Sequence, residues 1–366
     1  MTVPKVVLVS AYYPPHLGGQ EVVVQDLANR LHAAGVSVEV VTSDLGATKG
    51  VTVEGGVRVT RLKSFQFAHG AIIPSLFFWL VKHVKEDTVV HLHAGQLFTP
   101  EPVWLAAKFA KFKYILHFHS DMARSGPMGI FLPPYKRIFL PLPIRDAAIT
   151  VVLRDDRKLE LMREFPNNRG VLVMSNGVTD DFYEVPRNTD ESTGRLLFVG
   201  RLSPHKNVAG LLEALALSNA ELGVDIIGDG ECRKELAELA VAKNLPGVTF
   251  HGRLSREEIK QFYATCGAFI LPSIADQQPM VLLEAMACRV PIIASKVNAM
   301  SNTIDGAAII VDPSPEGIAA GIDEFSRMSS GDVAAMVGRA SERAQRLSWN
   351  NVIKSYIDLY TEILAG

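Results

Sequence analysis

The sequence predicts an α/β protein made of two doubly wound, Rossmann-like domains. Three observations carry the prediction. Apolar, β-rich runs alternate with helix-period segments along all 366 residues, the mark of βα units around parallel sheets. The alternation runs twice, on either side of a polar stretch at 179–194. Each half also opens alike, with a short apolar strand, a loop and a helix: VVLVSAYYPPHLGGQE in the first and LLFVGRLSPHKN in the second.

In the first half the strand candidates are Val6–Ser10, Ser37–Thr42, Val57–Leu62, Thr88–His93, Tyr114–His119, Ala147–Val152 and Val171–Ser175. Between the first two, Glu21–Ala34 places Val23, Val24, Leu27, Ala28 and Leu31 on one helical face and stops before Gly35. In the second half the strands read Leu196–Val199, Val224–Ile227, Val248–Phe250, Ala268–Leu271, Ile292–Ala294 and Ala308–Val311, with helices over Asn207–Leu217, Cys232–Lys243 and Arg256–Cys266. Thr179–Gly194, rich in Asp, Glu, Pro, Asn, Ser and Thr with one small aromatic cluster, reads as a surface linker. The expected domains are 1–178 and 195–347, with 348–366 forming a helix that crosses back to the first domain. Ligands of doubly wound sheets bind beyond the carboxyl ends of the strands, so the two opening loops are expected to face each other across a deep cleft.

Composition narrows the function. Lys plus Arg (37) nearly balances Asp plus Glu (39), which argues against a nucleic acid partner. Cys232, Cys266 and Cys288 form no CxxC pair and read as reduced thiols rather than a disulfide frame or zinc site. Met1–Ser10 reads as a first buried strand and not a leader. The most apolar stretch, Ile72–Val81, is about half the ~20 residues of a spanning helix. A cytoplasmic protein is expected.

Several loops carry chemistry. Gly18-Gly19 precedes a helix, where backbone can approach a ligand and the helix start favours an anion, although paired glycines also mark ordinary turns. No GxGxxG follows the first strand, which counts against a dinucleotide enzyme. Past the first strand of the second half, Arg201 and Lys206 flank a turn, and two cations there can neutralise a diphosphate; the plain alternative is a solvated basic loop. Asn207 reads as part of the helix cap. In DQQPMVLLE, Pro279 starts a helix and Glu284 falls one turn in, where its carboxylate can accept ribose hydroxyls. Asp276, just before the helix, can reach a sugar hydroxyl. The competing view is a buried helix with surface acids.

Histidines recur at His91, His93, His117 and His119. Strand alternation is expected to send the members of each pair to opposite faces, which separates them, and no cysteine completes a zinc site. His119-Ser120-Asp121 ends a strand, where His119 can donate to a donor sugar or shape an acceptor pocket. His91 and His117 read as core histidines with one satisfied hydrogen bond.

Together these segments resemble the retaining glycosyltransferases of family four, of GT-B fold. The resemblance runs nearly end to end: Gly18-Gly19-Gln20-Glu21, His91-Leu92-His93, His119 to Asp121, Asn176-Gly177-Val178, Gly200-Arg201-Leu202 with Lys206-Asn207, Gly228-Asp229-Gly230, Asp276…Glu284-Ala285-Met286-Ala287, and Trp349 with Tyr360. It implies that domain 1–178 binds the acceptor and domain 195–347 the nucleotide-sugar, that Glu284 takes the ribose, that groups near Gly228 and Arg253 edge the base, and that Arg201 and Lys206 hold the diphosphate. Backbone N–H groups of Met280 and Val281 would assist them, Gly18 and Gly19 would complete the phosphate and acceptor side, and His119 would contact the donor sugar. It further implies retention through front-face displacement, with charge stabilised without a metal and no cofactor beyond the nucleotide-sugar co-substrate, for which a UDP-sugar is expected. Two departures bear on donor identity. Asp276 stands where the family has Glu, and Gln277-Gln278-Pro279 replaces Gly-Phe-Gly, Pro279 having no N–H to offer.

Two other readings share the architecture: a nucleotide-sugar 2-epimerase and a non-catalytic nucleotide-sugar-binding protein. Arg201 with Lys206 favours transfer over both. The acceptor is open. Segment 122–145 mixes Met128, Ile130, Phe131, Tyr135 and Phe139 with Arg124, Lys136, Arg137 and Arg145. It could rest on an anionic membrane, line an acceptor pocket or pack in the core.

Overall fold

A computed structural model describes residues 4–16, 18–67, 70–95, 98–119, 132–187, 194–276, 278–296 and 304–365. The chain divides into two compact units, Met1–Gly177 with Trp349–Gly366, and Val178–Ser348.

The first unit contains β1 (Lys5–Ser10), α1 (Gly19–Ala33), β2 (Ser37–Ser43), β3 (Gly50–Glu54), β4 (Val57–Leu62), β5 (Phe65–Phe67), β6 (Gly70–Ile72) and α2 (Leu76–His83). It continues through β7 (Thr88–Ala94), α3 (Pro100–Ala110), β8 (Lys113–Phe118), α4 (Leu132–Ile138), α5 (Pro141–Asp146), β9 (Ile149–Val152), α6 (Asp155–Glu164) and β10 (Val171–Val173). Its sheet runs β10-β9-β8-β7-β1-β2-β4-β3, and only the outermost β3 is antiparallel to its neighbour. Leu8, Val9, Val89, Val90, Leu92, Ile115 and Leu116 are all buried, because a parallel sheet covered on both faces has no wet side for polar residues. The β3 edge has no counterpart in the sequence reading, since Val51 and Val53 on it are exposed and bury no face. β5 and β6 form a separate small hairpin.

The second unit contains β11 (Leu196–Val199), α7 (Val208–Leu217), β12 (Val224–Ile227), α8 (Arg233–Ala242), β13 (Val248–Gly252), α9 (Arg256–Thr265) and β14 (Ala268–Leu271). After these come α10 (Met280–Ala287), β15 (Ile292–Ser295), β16 (Ile309–Val311), α11 (Pro315–Arg327) and α12 (Ser330–Arg346). The sheet order is β13-β12-β11-β14-β15-β16, parallel throughout. Strand order reverses at β11, which places the ends of β11, β12 and β14 together, the topological switch point of such folds.

The stretch read as a surface linker differs in its first part. Val178, Phe182 and Val185 lie in the core of the second unit, and the Arg256 guanidinium sits 4.7 Å over the Phe182 ring. Phe182, from the aromatic cluster of that stretch, is a buried anchor and not part of a surface linker. Residues 188–193 of that stretch fall outside the described residues.

The last helix, α13 (Trp349–Ala365), belongs to the first unit and packs on α1 and β7. Trp349, Tyr356 and Tyr360 are fully buried there. A Cβ on Gly177 would come 2.3 Å from the Trp349 ring, so the Asn176-Gly177 turn needs glycine to admit the indole. Among the described residues no helix is long and apolar enough to cross a membrane.

Trp349→Ala is expected to lower the stability of the first unit by about 3 kcal/mol or more, the scale of losing a fully buried aromatic. Chemical denaturation followed by a first-unit probe measures this; an unchanged midpoint would mean that α13 is not anchored by its indole.

Candidate active site

In the second unit, the ends of β11 and β12 meet backbone to backbone. Gly228 has φ +136, and a Cβ there would lie 1.9 Å from the Gly200 carbonyl oxygen. A Cβ on Gly230 would lie 2.3 Å from the Leu202 carbonyl oxygen. The contact is sealed by Leu202 N donating to Asp229 O at 3.0 Å and Cys232 N donating to Leu202 O at 3.0 Å. These glycines therefore lock the Arg201 loop to the Asp229 loop.

The lock aims two cations differently. Arg201 is exposed and pairs with Glu231 at 3.1 Å, an interaction that solvent weakens. Lys206 is enclosed, and its Nζ donates to both oxygens of Asp276 at 2.8 and 2.9 Å. Both side chains of this pair are only 13% exposed. Asn207 sits in the left-handed region at the start of α7 and makes no side-chain cap. Its amide instead donates to Pro272 O at 3.1 Å and Pro313 O at 2.8 Å, and Ile274 N donates to His205 O at 2.9 Å. Those bonds pin the Lys206 turn to the loop after β14, which is how residues 70 apart meet. Asn207 holds the N-cap position expected from the sequence, and its side chain serves as a clamp between loops.

Beyond Asp276, Pro279 is the N-cap of α10, with Met280 and Val281 in its first turn. First-turn N–H groups lack intrahelical acceptors and carry the positive end of the helix dipole. Gln277 lies outside the described residues. Glu284, one turn in, is mostly enclosed and has the Arg256 guanidinium 3.9 Å away. Beside it, burial drives the Tyr263 hydroxyl well above its ordinary range, and that hydroxyl donates to Val281 O at 3.0 Å. Arg256 and Tyr263 belong to a helix whose register looked purely structural, so no sequence signal marked them. Arg253 follows β13, exposed, with Asp229 3.9 Å from its guanidinium.

In the first unit, Gly18 is the N-cap of α1 and Gly19 its first residue. The space over Gly18 is filled: a Cβ there would lie 2.2 Å from Glu21 Oε2. Glu21 is buried in the first turn and shares a hydrogen bond with His16 Nδ1 at 3.0 Å. A carboxylate in that position meets hydroxyls better than phosphates. Gln20 Nε2 donates to Ser10 Oγ at 3.3 Å and His93 O at 3.2 Å, tying α1 to the ends of β1 and β7.

The four histidines form one cluster, which corrects the expectation that each pair splits across its sheet. Residues two apart in a strand line the same face. The rings of His91 and His93 accordingly stack at 4.2 Å, and those of His117 and His119 lie 4.1 Å apart. Parallel pairing of β7 with β8 sets His93 opposite His117. His91 shares hydrogen bonds with Tyr360 OH (2.7 Å) and His117 Nδ1 (3.2 Å), and His93 Nδ1 shares one with His119 Nε2 (2.7 Å). His91 thus has two partners rather than the single one expected. Nitrogens of His91, His93 and His117 lie within 4.8 Å of one another. The rings of His91 and His117 lie 11° from parallel, whereas those of His93 and His117 are tilted by 37°. Burial drives His91, His93 and His117 well below the ordinary histidine range and His119 down to about 3. The cluster is a neutral ladder. Ser120 and Asp121, and 122–131 of the segment read as acceptor-facing, lie outside the described residues.

Two family profiles match almost the whole chain: Glycosyltransferase Family 4 over residues 17–182 and Glycosyl transferases group 1 over residues 180–344. The chain belongs to the group 1 and family 4 glycosyltransferases and is a transferase of GT-B fold. An uncharacterized glycosyltransferase of Methanocaldococcus jannaschii is 24% identical, with 99% of each chain covered. The D-inositol 3-phosphate glycosyltransferase of Streptomyces avermitilis is 24% identical over 94% of this chain and 83% of its own. Among solved structures, Anabaena Alr3699/HepE in complex with UDP superposes with TM-score 0.79 at 18% identity, covering 98% of this chain and 100% of that one. Sucrose-phosphate synthase from Thermosynechococcus elongatus superposes with TM-score 0.77 at 20% identity, with 99% of each chain covered.

The neutral ladder has a pH signature. Unfolded histidines titrate near about 6.5, and folded His119 only near about 3. Between these values the unfolded chain binds more protons, so stability rises with pH across the window and is lost as pH falls from about 6.5. Thermal unfolding from pH 7 to 5 is expected to show the first unit melting progressively earlier. A flat profile would mean that the ladder takes up protons without unfolding.

Proposed function

We propose that this transferase moves a sugar from a UDP-sugar to an acceptor hydroxyl with retention and without a metal ion. The observation that carries the reading is the enclosed Lys206–Asp276 pair, set beside the first-turn N–H groups of Met280 and Val281. A held ammonium next to a helix start is an electrostatic sink for a departing diphosphate. In this reading Lys206 and Arg201 take the phosphates, and Asp276, which steadies Lys206 in the free protein, turns to hydroxyls of the donor sugar. With one methylene fewer than Glu, it reaches them from closer to the backbone. Glu284 receives the ribose hydroxyls, and Gly228 and Arg253 border the base. From the first unit, Gly18 and Gly19 with Glu21 meet hydroxyls on the acceptor side, and His119 contacts the sugar as a neutral group.

Donor class draws support from the fold neighbours, since Anabaena Alr3699/HepE was solved with UDP and with UDP-glucose. The leaving phosphate helps to deprotonate the acceptor, so no enzyme nucleophile is required. Cytoplasmic residence, where free thiols such as Cys232, Cys266 and Cys288 persist, completes the proposal. Peripheral contact with an anionic membrane through 122–145 is part of it too. Ile138 and Phe139 are exposed beside Arg137 on the described portion, a mixture suited to an interface.

The test is a thermal-shift screen of UDP, GDP, ADP and TDP with and without EDTA. Stabilisation by UDP alone, unchanged by EDTA, is expected; a shift that needs metal would overturn the mechanism. Lys206→Ala should then lower kcat by roughly a few hundredfold, as other lost transition-state charges do. Turnover close to wild type would remove Lys206 from the chemistry. Conversion of the donor to its 2-epimer without an acceptor would point to epimerisation instead.

A further inference from the structure

His93 and His119 share a hydrogen bond of 2.7 Å between Nδ1 of the first and Nε2 of the second. Both rings are neutral, so one nitrogen of the pair carries a proton and the other is bare. The surroundings decide which. If His119 Nε2–H donated to His93, the proton of His93 would sit on its own Nε2, which is buried and has no partner among the described residues. In the backbone an orphaned buried N–H is rarer than an under-satisfied acceptor, and the same ordering is extended here to the imidazole nitrogens. If His93 Nδ1–H donates instead, its Nε2 is bare and His93 strands no donor. His119 must then carry its proton on Nδ1.

The ring positions are not free to relax. His93 is held from behind by stacking on His91 at 4.2 Å, and its carbonyl takes the amide of Gln20 at 3.2 Å. His119 N donates to Ala94 O at 3.1 Å, and its ring packs against His117. Flipping either imidazole would put a carbon where the shared bond now lies.

We propose that His93 is a positioning residue: its Nδ1–H fixes His119 in the Nδ1–H tautomer, which leaves His119 with a hydrogen-bond donor at Nδ1. The group that meets His119 must then accept, as a sugar hydroxyl oxygen does. This inference rests on the proposed donor-sugar contact of His119 for its consequence but not for its geometry. The tautomer is a property of the free protein.

The experiment uses full-length protein with 15N-labelled histidine and two-bond 15N–1H correlations at neutral pH, the rings assigned with His93→Asn and His119→Gln. His119 is expected to carry its proton on Nδ1. His93→Leu should mix the His119 tautomers and lower kcat/KM about tenfold, the scale of one neutral hydrogen bond. His93→Asn, whose side-chain N–H lies where Nδ1–H lies in histidine, should restore both the pattern and the rate. A wild-type His119 protonated on Nε2 overturns the inference, and that spectrum decides even if His93→Leu does not fold. A His119 pattern unchanged in folded His93→Leu overturns it as well. If the tautomer is as stated but His119→Ala turns over normally, the positioning stands and the sugar contact falls.

Discussion

A parallel sheet brings every strand's carboxyl end to the same edge, and this constraint assembles everything chemical in the protein. Ser10, His93 and the residues leading to His119 come from three strands far apart in the chain. Parallel registry of β1, β7 and β8 sets them side by side. The same rule joins Gly200, Gly228, Arg253 and Asp276 in the second unit, where β13, β12, β11 and β14 lie in sequence across the sheet. Helices covering both faces make that edge the place where loops can reach a ligand without unburying a core.

Within this frame the two units solve different electrostatic problems. The second unit concentrates fixed positive charge. It holds Lys206 against Asp276, leaves Arg201 to solvent and adds the start of α10. The pairing keeps an enclosed ammonium satisfied while no anion is bound, so the cation need not withdraw into bulk water. The first unit does the reverse. It removes charge by burying four imidazoles in a stack with Tyr360, and burial keeps them neutral. A neutral ladder supplies direction to a hydrogen bond without placing charge in the core of the first unit.

Glycine serves the site by proximity at two places. Gly228 lets two loops touch through backbone atoms, which fixes Arg201 relative to Asp229 and Arg253. Gly177 admits Trp349 and so seats the last helix, whose Tyr360 closes the ladder at His91. The chain's return to the first unit is thereby coupled to the arrangement of the histidines, although Tyr360 stands far from them in the sequence.

The alternation of apolar runs was enough to read nearly every parallel strand, because a strand covered on both faces is apolar throughout. Short polar elements escaped: the β3 edge buries nothing, and Phe182 was masked by acidic neighbours. Loop chemistry was legible as residue types, cations after β11 and acids around α10. Pairings were not, since Lys206 meets Asp276 only because Asn207 clamps two loops together. Histidine spacing was visible, yet its meaning was inverted until the strand face was seen. Glu21 over Gly18, and the proton between His93 and His119, depend on burial and on which neighbours are missing. Sequence determined which residues each strand delivers to the edge, since periodicity is local. Which groups touch there, and in what protonation state, was decided by long-range packing alone.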